Sequence, residues 1–267
     1  MIDDEMERVV DELAARLRDR LAGVPMREAT EFRPCTAPIP RDQIRTAAEL
    51  APYIDHTLLG QSVTREDVER LAEEALRYGF AGVCVNSAHV EVAARVVAGS
   101  RTLPVAVVGF PLGAALPTAK AFEAREAVRS GAREIDTVMD IGALKARDYA
   151  RVLKDISAVV DAARPHPVKV ILEMGQLSQD EKIAGCVLAK AASAAFVKTS
   201  TGFFGGGATA EDVALMRRIV GDQVGVKASG GIRSAADAMR MIDAGANRIG
   251  ASASVPIVTG ALAPTND

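Results

Sequence analysis

The chain has 267 residues, 49% of them hydrophobic, with a formal net charge of −3. This length suits one large domain with a small appendage, and the near-neutral charge gives no reason to expect nucleic acid or an anionic membrane as a partner. No run reaches the roughly 18 apolar residues of a membrane span. The cysteines are too few and scattered for a disulfide framework, which predicts a reducing, cytoplasmic location.

The first 45 residues differ from the rest of the chain and are predicted as a separate unit from residues 46–267. Residues 5–21 place one apolar face opposite charged positions, which predicts an amphipathic helix. Gly23-Val24-Pro25 ends it, and residues 36–40 have the composition of an extended linker. The helix could pack against the main domain or form a subunit contact, for example in a homodimer, and the sequence leaves both open.

From residue 53 onward, strand-like runs alternate with helical patterns. The runs are 53–57, 82–86, 105–109, 134–139, 168–173, 195–200, 224–228 and 248–251. Helices are predicted over 65–78, 116–129, 148–163, 179–191, 210–220 and 235–244, several of them after a capping serine or threonine. Eight strand–helix units predict an α/β fold of the (β/α)8 TIM-barrel type. An open doubly wound sheet would more typically show fewer strands and a glycine-rich loop after the first, which this chain lacks.

Two lysines end strand-like runs in nearly the same setting. Lys198 and Lys227, 29 residues apart, each follow a short apolar run and precede small hydroxylated and glycine residues. A lysine at the end of a buried strand is unfavourable unless it is paired or its charge is suppressed. If the two lie close together, repulsion lowers the pKa of one, and a neutral lysine amine attacks carbonyl groups to form a Schiff base. From the pattern alone, either lysine could be the nucleophile.

A carboxylate, Asp136, lies inside the fourth predicted strand. A strand covered by helices has few reasons to carry a charge in its middle. One interpretation is an ion pair with a neighbouring lysine and no further role. The other joins Asp136 to Lys198 and Lys227 as the acid and base that move protons during imine chemistry.

Two glycine- and serine-rich loops follow the seventh and eighth predicted strands, at residues 229–234 and 250–254. Backbone amides of such loops suit a phosphate dianion, and barrels often bind phosphate at these two positions. The pattern therefore predicts a phosphate site, with ligand-free glycine turns as the alternative.

An ordered series of motifs over residues 53–258 resembles the deoxyribose-phosphate aldolases. The motifs are Asp55–Leu59, Val83–Asn86, Val108–Gly113, Lys120–Ala124, Glu134–Asp136, Ile141–Lys145, Phe196–Phe203 and Val226–Arg233. The resemblance implies a metal-independent, cofactor-free class I aldolase that reversibly cleaves 2-deoxy-D-ribose 5-phosphate. The products would be acetaldehyde and D-glyceraldehyde 3-phosphate.

The same resemblance assigns roles to individual residues. Lys198 would form the Schiff base, Lys227 would keep it unprotonated, and Asp136 would relay protons through an ordered water. Cys84 matches a family cysteine near the active site, and we interpret it as a small buried residue without a role in turnover. The implied substrate-binding residues are Asp55, Thr57, Thr201, Gly202, Gly230, Gly231, Gly250 and Ser252.

Three positions depart from the pattern common in the family: Met174, Asp140 and Ala253. They leave open a Schiff-base aldolase for another sugar phosphate, and a phosphate-binding barrel without catalysis is a further alternative. A zinc-dependent aldolase needs several converging histidines, and the chain has only three, at no metal-like spacing.

Overall fold

The computed structural model describes residues 37–40 and 43–260, together with Arg8, Glu12, Ala15 and Asp19. These four isolated residues are helical. The rest of the predicted N-terminal helix lies outside the described residues. Of the predicted linker, residues 37–40 are described and contain neither helix nor strand. The choice between packing on the main domain and a subunit contact therefore stays a prediction.

The described chain forms a closed barrel of parallel strands, with strand order β1 to β8 and with β1 paired to β8. This confirms the predicted (β/α)8 fold. The strands are β1 (Ile54–Leu58), β2 (Gly82–Asn86), β3 (Leu103–Val108), β4 (Glu134–Val138), β5 (Val168–Ile171), β6 (Phe196–Lys198), β7 (Gly225–Ser229) and β8 (Arg248–Ala251).

Helices lie between and after the strands. They are α1 (Arg65–Tyr78), α2 (Val90–Val96), α3 (Pro117–Arg129), α4 (Ile141–Lys145), α5 (Tyr149–Ala163), α6 (Gln179–Ala191), α7 (Ala210–Val220), α8 (Ala235–Asp243) and α9 (Ser254–Thr259). The capping residues Thr64, Ser178 and Ser234 start α1, α6 and α8 as predicted, each through a capping box. The helices α2, α4 and α9 were not predicted because they are too short to show a helical period.

Side chains of successive strand residues alternate between the helix-covered face and the barrel interior. The outward positions of the strands, such as Val83, Ile135 and Val197, are fully buried beneath the helices. The register pairs Asp136 with Lys169 and Lys198 with Lys227, and paired residues on parallel strands point the same way. The interior of this barrel therefore holds several charged side chains beside a small apolar cluster of Cys84, Val105 and Val107. No helix in the described ranges is long and apolar enough to cross a bilayer.

Candidate active site

Seven charged side chains meet inside the barrel, and we call them the ion cluster: Asp55, Glu134, Asp136, Lys169, Lys198, Lys227 and Arg248. Asp136 is its centre. Its Oδ1 accepts a hydrogen bond from Lys169 at 2.8 Å, and its Oδ2 accepts from Lys198 at 2.9 Å and from Lys227 at 2.8 Å. Since three carboxylates face four cationic groups, the cluster is electrically balanced when one cation is neutral.

The two predicted lysines occupy unequal positions in the ion cluster. Lys227 is fully buried and also bonds Asp55. Lys198 lies at the edge of the cluster and lines an open cavity. Within the described part of the chain, Asp136 is the one carboxylate that Lys198 contacts. Lys198 is therefore the lysine that a substrate can reach.

The pKa values reflect this arrangement. Burial alone would lower the pKa of Lys227, but Asp136 and Asp55 outweigh it, and the pKa lies above the usual range of lysine. Burial would likewise raise the pKa of Asp55, but Arg248 and Lys227 hold it well below its ordinary value. The sequence suggested two lysines in direct repulsion, whereas the structure places a carboxylate oxygen of Asp136 between them. Lys227 thus stays cationic beside Lys198.

Glycines on the strands provide the space that the charged side chains need. A Cβ at Gly82 would lie 2.8 Å from Asp55 Oδ1, and one at Gly250 would lie 2.9 Å from Lys227 Cε. A Cβ at Gly225 would overlap the Phe196 ring. That ring lies with its centroid 5.5 Å from the Arg248 guanidinium carbon and 5.9 Å from Lys169 Nζ, within reach of a cation–π interaction.

The small hydroxylated residues after each lysine tie the two strand ends together. Thr199 Oγ1 accepts from Ser229 N and donates to Ser229 O, both at 3.0 Å. Ser229 Oγ donates to Ser200 O at 2.6 Å. These bonds fix the carboxyl ends of β6 and β7, and with them the relative position of Lys198 and Lys227.

A cavity of about 360 Å³ opens above the ion cluster. Its walls come from the loops after β1, β6, β7 and β8. Seven of the predicted substrate residues line it: Thr57, Thr201, Gly202, Gly230, Gly231, Gly250 and Ser252. Lys198 and Arg233 also line it, so one of the two predicted lysines and the predicted phosphate loops share one space.

Asp55, the remaining predicted substrate residue, does not line this cavity. It is fully buried, and its two oxygens are engaged by Lys227 and Arg248. Asp55 therefore lies beneath the cavity, where it supports Lys227. Cys84 is fully buried inside the barrel, with a pKa raised by burial.

Sequence reasoning missed three members of the ion cluster. Lys169 contacts both Asp136 and Glu134, and Arg248 bonds Glu134 at 2.9 and 3.1 Å. The sequence feature that could have identified them is a charged residue inside a short apolar strand. Glu173, a polar residue just after β5, accepts hydrogen bonds through its carboxylate from the backbone N–H and the hydroxyl of Thr201.

The three departures from the family pattern lie outside the cavity lining. Met174 is fully buried behind β5. Asp140 caps α4 through Ala143 N at 2.9 Å. Ala253 occupies the N-cap position of α9, without a side-chain hydrogen bond. Over the described ranges, no group of three or more His, Cys, Asp or Glu residues is arranged to hold a metal ion.

Acid is expected to destabilise the protein through Asp136. Burial would raise the pKa of this carboxyl, but Lys169, Lys198 and Lys227 hold it well below its ordinary value. Because the pKa is lower in the folded chain than the roughly 3.9 of an unfolded aspartate, its stabilisation is complete above about pH 4 and is lost as the pH falls further. Urea unfolding between about pH 6 and 3 should show a steeper loss of the free energy of unfolding for the native protein than for Asp136→Asn. Equal slopes would contradict this assignment.

The sequence profile of the DeoC/LacD family aldolases matches residues 50–264. Among relatives named deoxyribose-phosphate aldolase, one from Macrococcus caseolyticus is 54% identical over 211 residues, covering 79% of this chain and 96% of its own. One from Listeria welshimeri is 53% identical over 212 residues, covering 79% and 95%.

Solved structures agree with this match. A protein from Coccidioides immitis superimposes with a TM-score of 0.80 at 39% identity and covers 96% of both chains. The tetrameric deoxyribose phosphate aldolase from Aeropyrum pernix gives a TM-score of 0.76 at 32% identity, covering 82% of this chain and 93% of its own. With this fold, this lysine and carboxylate cluster and these relatives, the chain belongs to the DeoC/LacD family of aldolases.

Proposed function

We infer that the protein is a deoxyribose-phosphate aldolase that cleaves 2-deoxy-D-ribose 5-phosphate through a Schiff base on Lys198. The observation that carries this inference is the position of Lys198. Its Nζ is held by Asp136 at 2.9 Å at the edge of the ion cluster and lines the cavity that also contains the glycine loops. An amine there can reach the aldehyde carbon of a sugar whose phosphate is bound by those loops.

The covalent chemistry follows from a neutral Lys198 amine. Nζ attacks C1 of the open-chain sugar, and loss of water gives the protonated imine. Removal of the proton from the C3 hydroxyl then breaks the C2–C3 bond, and its electron pair moves into the iminium to form an enamine. Glyceraldehyde 3-phosphate leaves, C2 of the enamine is protonated, and hydrolysis of the imine releases acetaldehyde and restores Lys198.

Asp136 is our candidate for moving protons in these steps, through an ordered water. In the resting protein its basicity is suppressed by three ammonium groups. When Lys198 becomes neutral, one of these cations is lost and Asp136 becomes a better proton acceptor. Lys227, held by Asp55, supplies the positive field that favours a neutral neighbour, while Lys169 holds the other oxygen of Asp136.

The phosphate end of the substrate is assigned to the loops after β6, β7 and β8. Gly202, Gly230 and Gly231 all have positive φ and line the cavity together with Ser252. Consecutive backbone amides in such a conformation form an anion-binding concavity. Arg233, also in the lining, adds a cation at the rim.

Replacement of Gly230 by alanine is expected to weaken phosphate binding. Gly230 has a φ of +89°, and an added Cβ would lie 3.0 Å from Gly207 Cα. Alanine in this conformation costs about 1–3 kcal/mol, so the loop should shift. The KM for 2-deoxy-D-ribose 5-phosphate should rise about tenfold, while kcat/KM for unphosphorylated 2-deoxyribose changes less than about threefold.

Gly221→Ala is the matched control for this experiment. Gly221 also has a positive φ, of +64°, but it lies after α7, away from the cavity, with open space around its Cα. Its kinetics should equal those of the unmodified protein. A similar loss on both substrates for Gly230→Ala would argue against a phosphate site at this loop.

Trapping the covalent intermediate tests the proposed function. The protein is incubated with 2-deoxy-D-ribose 5-phosphate or acetaldehyde, reduced with borohydride and mapped by mass spectrometry. We expect an adduct on Lys198 from either compound. An adduct on Lys227 would mean that Lys227 is the nucleophile and Lys198 the supporting lysine. If none of several phosphorylated aldoses gave an adduct, the result would support a phosphate-binding barrel without catalysis.

A further inference from the structure

Helix α3 carries a buried lysine that reaches the strand bearing Asp136. Lys120 is 1% exposed, and its Nζ donates to Val138 O and to Asp155 Oδ2, both at 2.8 Å. Val138 ends β4, two residues after Asp136. An ammonium this deeply buried is costly unless it is well paired, and replacing such a pair by apolar groups is often neutral for stability. Stability is therefore a weak reason for this lysine to be here.

One turn further along α3, Glu123 binds the ends of the two preceding strands. Its Oε2 accepts from Gly109 N at 2.9 Å, and its Oε1 accepts from Ser87 Oγ at 2.8 Å. Gly109 follows β3 and Ser87 follows β2. Lys120 and Glu123, three residues apart, lie on the same side of the helix. We call this pair the α3 brace, and it joins the carboxyl ends of β2, β3 and β4.

The chain after β3 lies directly on the α3 brace. Gly109 has a φ of +60°, and a Cβ there would lie 2.9 Å from Lys120 Cε, so only glycine leaves room for the lysine side chain. The next residue, Phe110, contacts Phe203 edge to face, with ring centroids 5.1 Å apart. Phe203 lines the cavity. The brace thus supports one wall of the cavity as well as the strand of Asp136.

We propose that Lys120 and Glu123 are positioning residues for carbon–carbon cleavage, which hold Asp136 and the Phe110–Phe203 wall in register with Lys198. This inference rests on the proposed function. Proton transfer and imine formation depend on the distance between Asp136, Lys198 and the substrate, and a misplacement of about 1 Å can cost on the order of 10²-fold in rate. The brace reaches the phosphate loops only through the Phe110–Phe203 contact, so phosphate binding should change much less than cleavage.

Lys120→Met tests the proposal, because methionine fills similar space without the ammonium. For 2-deoxy-D-ribose 5-phosphate, we expect kcat to fall about 10- to 100-fold and KM to change less than about threefold. Borohydride labelling of Lys198 should slow in parallel. Lys182→Met is the control: it removes the Lys182–Asp212 ion pair (2.6 Å) between α6 and α7, and its kcat should stay within about twofold of the native value.

Glu123→Ala provides a second, independent test, with an expected fall in kcat of about tenfold. If Lys120→Met does not fold, the kcat of Glu123→Ala decides whether the proposal holds. Should both folded variants have lower unfolding midpoints but native kcat, the brace would be merely structural and the proposal would be overturned. In that case the unmodified protein would still form its Lys198 adduct. Absence of that adduct would instead overturn the proposed function, and the inference with it.

Discussion

Lys198→Arg is expected to lose cleavage of 2-deoxy-D-ribose 5-phosphate by on the order of 10⁴-fold or more, the scale typical for removal of an essential nucleophile. Arginine keeps the positive charge beside Asp136, but its guanidinium stays protonated and cannot form the imine. Because Lys198→Arg retains the charge and much of the side-chain volume, the loss of cleavage rate reports on the covalent step alone. The measurement is the rate of glyceraldehyde 3-phosphate release, together with borohydride trapping, which should label nothing in this variant.

Lys182→Arg is the matched control for this prediction. Lys182 is likewise a lysine in a carboxylate pair, at 2.6 Å from Asp212, but it is only partly buried and lies between helices α6 and α7, away from the cavity. Its activity and its Lys198 adduct should be those of the native protein. If Lys198→Arg kept more than about a tenth of the native rate, catalysis would not depend on an imine at this position.

Asp136→Asn is expected to have the second-largest effect, on both activity and stability. Asparagine keeps the shape but leaves Lys169, Lys198 and Lys227 without the carboxylate that they share. Breaking a buried ion pair from one side costs about 3–5 kcal/mol, and loss of a general acid–base group costs about 10²- to 10⁴-fold in rate. We expect a fall in kcat of that order and a lower free energy of unfolding by urea titration.

Lys120→Met and Asp136→Asn should differ in the size of their effects in the same assays. Loss of the proton relay should slow imine formation as well as cleavage, so the rate of borohydride labelling should fall with kcat in Asp136→Asn, and by more than in Lys120→Met. Asp212→Asn, which removes the carboxylate of the Lys182 pair away from the cavity, is a suitable control, and its kcat should be that of the native protein. Native kcat in folded Asp136→Asn would exclude a proton-transfer role for Asp136.

The strand order and most helix bounds could be predicted because the residues that determine each element lie close together in the sequence. Capping residues such as Thr64 and Ser178 stand next to the helices that they start, and α6 begins and ends where the sequence pattern indicates. The predicted Lys198, Lys227 and Asp136 lie together because barrel strands bring their carboxyl ends to one face. Most of the implied phosphate residues line one cavity for the same reason.

The full ion cluster could not be predicted, since it depends on register between strands. Arg248 and Asp55 are 193 positions apart in sequence and meet only because β8 pairs with β1. Lys169 stands between two valines in a strand of four residues, too short to show which face is interior. The resemblance implies Asp55 as a substrate residue, and the structure shows both of its oxygens engaged by Lys227 and Arg248; a strand's sequence does not say how deep in the barrel a residue lies.

Because every member of the ion cluster touches at least one other, the charges inside the barrel are electrostatically coupled. A proton lost from one lysine changes the field at Asp136, and through it at the remaining cations. The pH–rate profile of this enzyme will therefore report macroscopic constants of the whole assembly. A change at Arg248, which does not line the cavity, should shift that profile through Asp55 and Lys227.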